Sequence, residues 1–320
     1  MKILITGGGG FIGQKLAGKL AERGELRGQP IAELVLADVH HATPVVAPFP
    51  VTAPVVDITN RVQADLLFAG DFDVVYHLAA VVSGQAEAEF DVGMAVNLTG
   101  TLNILEAARA QSKPPVLVFA SSLAVFGGEV ADPVGDHSAL NPQTSYGTQK
   151  AIGELLVNDY SRKGFIDGRA LRLPTISVRP GKPNAAASSF MSSIVREPLQ
   201  GQEAVCPVTE EFEHYYLSPR ILIENLILAA ELDGKAFGQN RAITLPGLTV
   251  SIREVVEAMR KVAGEAPVRR IRFEPDQRIL DIVLGWRWAV RSDKADRLGF
   301  KRDKSFEDNV RYFLEDDIAR

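Results

Sequence analysis

Residues 2–13, KILITGGGGFIG, constrain this chain more than any other stretch. A short apolar run ends in four glycines. Ile12, Leu16 and Leu20 then recur every four residues with Ala17 beside them, the spacing of a helix with one apolar face. A strand that turns straight into a helix needs a residue without steric restraint, which Gly7 supplies. Gly10 leaves the backbone open to a phosphate, and Gly13 lets the helix lie close to the strand. The first amides of that helix, around Phe11 and Ile12, would face the anion. A glycine cluster alone also describes a plain turn. The flanking strand and helix, and an acid further on, are what raise it to a dinucleotide cradle.

That acid is Asp38, closing a second apolar run, AELVLADV (32–39). Its carboxylate suits the ribose hydroxyls of an adenosine and would repel a 2′-phosphate. No Arg or Lys follows in DVHHATP, so the expected cofactor is NAD rather than NADP. Further strands are expected at APVVDIT (53–59), FDVVYHLAA (72–80), PPVLVFASS (114–122) and GRALRLPTI (168–176). Helical spacing recurs at 60–68, 92–111 and 145–161. Strand and helix alternate at the lengths of crossover units, which predicts an α/β fold: a doubly wound parallel Rossmann sheet over residues 1–176. Asp57 and Ile58, at the end of the third strand, would flank the adenine. Beyond 177 the rhythm breaks. Helices near 218–231, 251–263 and 305–318 and a strand at RAITLP predict a smaller, interleaved substrate lobe over 177–320, with a segment near 240–263 returning to the sheet.

Composition narrows the partners. A net charge of −5 provides no global basic field for nucleic acid or an anionic membrane, which favours a small molecule. The single cysteine, Cys206, cannot form an internal disulfide, so a reducing cytoplasm is expected. The run before the glycines is too brief for a signal peptide, and ILIENLILAA is interrupted by Glu224 and too short to span a bilayer. His77, His137 and His214 have no metal-ligand spacing, and no metal is expected.

SYGTQK stacks Tyr146 and Lys150 one helical turn apart. A phenol is a poor base near neutrality, but an adjacent ammonium and a cationic nicotinamide ring would favour the phenolate. The fifth strand ends in Ser121-Ser122, at the carboxyl edge where open α/β sheets bind ligands. With TGGGGFIG, HLAA (77–80), Asn97 in AVNLTGTLNILEAA, FASSLAVFG and SYGTQK in this order, the chain resembles the extended short-chain dehydrogenase/reductase superfamily over nearly its whole length. The resemblance implies Tyr146 as general base, Lys150 as its tuner and a ribose ligand, and Ser122 rather than Ser121 as substrate positioner. It also implies that Asn97 holds a water in a proton relay, that Leu78, Ala79 and Ala80 line the inner ribose, and that residues 173–175, including Pro174 and Thr175, contact the nicotinamide. Thr175 stands where the superfamily often has Asn. Such enzymes commonly dimerise through the helices near 100–112 and 145–161, so a homodimer is expected.

The substrate is addressed by LRLPTISVRPGKPNAAASSF (171–190), stiffened by prolines and carrying Arg172, Arg179 and Lys182 without an acid. Arg179 or Lys182 could pair a carboxylate, Arg with the better bidentate geometry. Asn184, Ser188 and Ser189 could bind hydroxyls, Thr175 lies at the start of this wall, and Ser83 could close the opposite side. The alternative is that the cations face solvent and the serines cap a helix. The segment resembles the superfamily branch whose members oxidise four-carbon sugar acids such as D-erythronate at C2 to a 2-oxo-tetronate. Leu123-Ala124 stand where dehydratases carry Asp-Glu. A nucleotide-sugar 4-epimerase is the runner-up, although 180–200 offers no clear aromatic platform for a base. A non-catalytic NAD sensor is disfavoured because both Tyr146 and Lys150 are kept.

Overall fold

The computed structural model describes residues 1–181, 187–283, 285–286 and 289–318, the side chains of 187 and 282 excepted. Apart from a short hairpin at Glu25–Leu26 and Gln29–Pro30, the strands up to residue 173 are β1 (Lys2–Thr6), β2 (Glu33–Ala37), β3 (Val51–Thr52), β4 (Val74–His77), β5 (Val116–Ser122) and β6 (Asp167–Leu173). With β7 (Ala242–Thr244) they form a seven-stranded sheet in the order β3-β2-β1-β4-β5-β6-β7. β1 pairs in parallel with β2 and β4, and β2–β3 and β4–β5 are parallel too. Ile3, Leu4 and Ile5 are fully buried in succession, as a strand covered on both faces requires. One core joins Leu4, Val75, Leu117, Phe119 and Ala170 of the sheet to Ile104, Leu105 and Val157 of the helices.

Chain order reverses at β1, between β2 and β4, and the carboxyl ends of β1 and β4 carry Gly7 and Leu78-Ala79. Such a switch point opens a crevice above the sheet edge. Helix α1 (Phe11–Arg23) leaves β1 through the glycines, and helix α2 (Ser145–Arg162) brings the Tyr–Lys stripe.

Two expected strands come out differently. The third is displaced to Val51–Thr52, with only an Asp38–Val55 bridge beyond it, because Pro54 has no amide to continue the ladder. The run 168–176 breaks at Pro174. β6 stays in the large sheet, whereas Thr175–Ile176 pairs in parallel with Glu213–Leu217.

The chain divides into two compact units: 1–125, 144–172 and 223–243, then 126–143, 173–222 and 244–320. Of the expected 240–263 segment, β7 (Ala242–Thr244) joins the sheet, while the first unit takes in 223–243 and its first boundary falls after 172. Helix Ile252–Ala263 stays with the second unit because its apolar face, Ile252, Val255 and Met259, belongs to the core of Phe306, Val310 and Phe313. In that unit Leu248–Ser251, Glu213–Leu217 and Thr175–Ile176 form a three-stranded sheet, and Ala204–Cys206 pairs with Ile271–Phe273.

Candidate active site

Gly7 adopts φ +72°, in the left-handed region, and a Cβ there would come within 2.8 Å of the Ala79 amide nitrogen. Leu78 donates its N–H to the Thr6 carbonyl at 3.1 Å, so the two strand ends are laced together. A Cβ on Gly13 would land on the Gly7 carbonyl oxygen. On Gly10, the N-cap of α1, it would meet only that same oxygen at 3.3 Å, and Gly10 is exposed. The cradle is closed on the protein side and open outward, which fits a pyrophosphate at the helix N-terminus. Asp38 is built into it. Its Oδ2 accepts the Gly9 N–H at 3.0 Å and its Oδ1 the His40 N–H at 3.1 Å, leaving lone pairs for hydroxyl donors. These groups fit the adenosine and pyrophosphate of a dinucleotide. Asp57, by contrast, accepts the N–H and hydroxyl of Thr59, 2.9 and 2.7 Å away, and so organises its own turn, while Ile58 is buried.

Along α2, Tyr146, Lys150 and Glu154 follow at four-residue intervals on one side of the helix. Each meets the end of β5. Tyr146 is half-buried and interacts with the Ser122 side chain, whose oxygen accepts the Ala124 N–H at 3.1 Å. Lys150 is buried and donates to the Ala120 carbonyl at 2.8 Å, its Nζ 5.7 Å from the Tyr146 ring centre and 4.8 Å from that of Phe119. Glu154 accepts the Ser121 hydroxyl at 2.5 Å.

The ionisation pattern of the ligand-free site is set by burial. Burial pushes the Tyr146 phenol up to about 12, opposed by the Ser122 hydrogen bond. Burial also pulls the Lys150 ammonium down to about 8, against the attraction of Glu154. Without a ligand the phenol is thus protonated, because desolvation outweighs the Ser122 interaction. Bringing it from about 12 to near 7 requires about 7 kcal/mol of further differential stabilisation.

Asn97 does not present its amide as a water holder. Its two amide hydrogens go to the Val81 carbonyl at 3.2 Å and Gln149 Oε1 at 2.8 Å, and its Oδ1 accepts the Val81 N–H at 2.9 Å. It clamps the end of β4 to α2. Its own carbonyl accepts the Thr101 hydroxyl at 2.7 Å. That hydroxyl, its proton spent, accepts from His77 Nε2 at 2.9 Å, so His77 Nδ1 accepts from Thr6 at 2.7 Å. Burial, with Lys150 nearby, holds His77 neutral, down to about 3.

The remaining predicted residues are distributed as follows. Ser83 is half-buried at the start of a short helix in the first unit. Pro174, Thr175 and Arg179 belong to the second. Pro174 is buried, and the Thr175 hydroxyl bonds His214 Nε2 at 2.7 Å. Arg179 is half-buried, with its N–H on Ser192 Oγ at 3.1 Å and its carbonyl accepting from Arg196 Nη1 at 2.8 Å. Ser188 and Ser189 are half-buried just before helix Phe190–Leu199, while Lys182 and Asn184 lie outside the described residues. Arg172 is no part of a cationic wall. It stays in the first unit, buried, with Nη2 2.7 Å from Glu154 Oε2. Sequence reasoning missed Glu154, although its place four residues after Lys150 was a signal, and it missed the Thr6–His77–Thr101 chain, whose members are remote in sequence.

Residues 3–213 match the family described as NAD dependent epimerase/dehydratase. A protein of Cupriavidus necator named D-erythronate dehydrogenase is 49% identical over 99% of this chain and 98% of its own length. One of Haemophilus influenzae with the same name is 42% identical over 99% and 100%. A crystal structure described as the nucleoside-diphosphate-sugar epimerase from Agrobacterium tumefaciens superposes with a TM-score of 0.95 at 43% identity, covering 100% of this chain and 95% of that one.

Proposed function

This chain belongs to the NAD dependent epimerase/dehydratase family, and on that premise we propose that it is an NAD-dependent dehydrogenase of a small sugar acid, oxidising D-erythronate at C2 to 2-oxo-tetronate. The observation that carries the reading is Tyr146 set against Ser122 with Lys150 one turn on, in the same unit as the glycine cradle and Asp38. The two sugar-acid dehydrogenases matched at full length supply the substrate class.

An oxidised nicotinamide, when bound, would supply the hydride acceptor and a positive charge that favours the phenolate. Asp38 binds the adenosine ribose through its remaining lone pairs, and its charge selects against a 2′-phosphate. Ser122, its oxygen already accepting from Ala124, directs its proton at the reacting oxygen. Tyr146 takes the hydroxyl proton at its phenolic oxygen as hydride leaves C2, with the Lys150 ammonium stabilising the phenolate. Arg179 is the proposed carboxylate ligand, with Lys182 the other candidate and Asn184, Ser83 and Thr175 as hydroxyl ligands. Burial and the like charge of Arg196 hold the Arg179 guanidinium below its usual range.

The Agrobacterium description favours a second reading, nucleotide-sugar epimerisation. NADH formation measured across tetronic and pentonic acids, beside conversion of UDP- and GDP-sugars, separates the two. The expected result is NADH with D-erythronate and no conversion of nucleotide sugars, and the reverse pattern overturns the proposal. We also propose a homodimer through helices 101–109 and 145–162, on which Leu102 is 38% and Leu155 63% exposed. Light scattering should give a dimer that Leu155→Glu converts to a monomer. The lone, buried Cys206 supports a reducing cytoplasm, which cell fractionation checks.

A further inference from the structure

Glu154 and Arg172 are each 4% exposed and joined by three hydrogen bonds, Nε to Oε1 at 3.0 Å, Nε to Oε2 at 3.1 Å and Nη2 to Oε2 at 2.7 Å. Taking two charges out of water costs several kcal/mol per ion, and apolar residues of like volume often serve stability as well or better. What sets this pair apart is its position. Glu154 follows Tyr146 and Lys150 on one stripe, and the three meet the end of β5 at Ser122, the Ala120 carbonyl and Ser121. Helix and strand are pressed together there, since a Cβ on Gly153 would approach the Phe119 ring to 2.7 Å. Sliding the helix along β5 would break the Ser121–Glu154 and Lys150–Ala120 bonds together with the Tyr146–Ser122 contact.

We propose that Glu154, held by Arg172 and Ser121, is a positioning residue that fixes the register of the Tyr146–Lys150 stripe against Ser122 and supplies the negative charge facing the buried Lys150. This rests on the dehydrogenase reading above. Lys150 is 2% exposed. The charged and titratable groups around it are His77 from β4, Arg172 from β6, and Tyr146 and Glu154 from its own helix. Glu87 and Glu106, which face α2 from neighbouring helices, are engaged with the Ser145 N–H and the Tyr160 hydroxyl at its two ends. His77 is neutral, and among the described residues it is Glu154 that opposes the desolvation of the ammonium.

Glu154→Gln keeps the shape and an oxygen for Ser121 but removes the charge, while Arg172→Met leaves the carboxylate without its cation. With 13C-labelled lysines, and the Lys150 resonance identified by its loss in Lys150→Met, the Lys150 titration midpoint should fall by about one pH unit in Glu154→Gln and rise in Arg172→Met. The falling alkaline limb of kcat/KM should move the same way in each variant. Ser121→Ala should lower kcat with the midpoint unchanged. If either single variant fails to fold, the neutral hydrogen-bonded pair Glu154→Gln/Arg172→Gln must show the downward shift. Midpoints equal to wild type in the folded variants overturn the proposal, because a purely structural pair has no reason to move Lys150 in opposite directions. NMR shifts as expected in a protein that oxidises no sugar acid would sink the dehydrogenase reading and leave the charge relation standing.

Discussion

In the first unit, Tyr146, Lys150 and Asp38 each lean on the regular edge of the parallel sheet: the strand-end Ser122, the Ala120 carbonyl and the Gly9 amide. In the second, the Thr175 hydroxyl leans on His214, which is packed among Phe212, Tyr216 and Trp286, with ring centres 6.2, 5.4 and 5.4 Å away. There His214 Nδ1 and the Tyr216 hydroxyl are buried with no hydrogen-bond partner among the described residues. The first region holds machinery that any substrate of this chemistry would need. The second offers the Arg179 and Arg196 cations beside a buried aromatic cluster, and in the proposed reading it holds the substrate carboxylate. On that proposal reaction and selection should separate by mutation.

The largest expected effect is on reaction. Tyr146→Phe removes only the phenolic oxygen and should lower kcat by about 10²–10⁴-fold, with the NAD dissociation constant nearly unchanged by calorimetry. Equal loss of both would mean that Tyr146 is structural, and the separation would fail. On the other side, Arg179→Met should raise KM for a sugar acid by about 10–100-fold, the worth of one charge-assisted pair, and leave NAD affinity alone. A KM within error of wild type would move the carboxylate ligand to Lys182.

The smallest effect compares the two buried histidines. His77 and His214 are both depressed from an ordinary value of 6.5 to about 3, by burial alone for His214 and by burial with Lys150 for His77. Below pH 6.5 the unfolded chain takes up these protons and the folded chain does not, so stability is complete above 6.5 and declines towards 3. The decline is about 1.4 kcal/mol per pH unit for each histidine. Between pH 6.5 and 5, urea unfolding of His214→Phe should show roughly half the wild-type slope. An unchanged slope would mean that His214 titrates normally.

How far each region was legible follows from how far apart its partners lie. Gly7, Gly10, Gly13 and the Tyr146–Lys150 pair are short-range patterns, and Asp38 closes the next strand of the same unit of fold, so spacing located them. Asn97 was located by motif, but its task was not, because Val81 and Gln149 are brought to it only by packing. Arg172 was read with the basic residues that follow it. Pro174 ends β6 between them, leaving Arg172 with Glu154 in one unit and Arg179 in the other. The proline was visible, whereas the partner of Thr175–Ile176 was not.

The sequence by itself determined the alternation of strands and helices, the glycine turn and the Tyr146–Lys150 stripe, because each is written in periods of two to four residues or in one strand–turn–helix unit. Only the tertiary structure decided which charges are buried and with whom. It buried the Tyr146 phenol and the Lys150 ammonium, which raises the one and lowers the other in the ligand-free chain, and set Glu154, fixed from β6, one turn beyond that ammonium. Ionisation depends on desolvation and on partners remote in the chain, and neither has a local spacing to read.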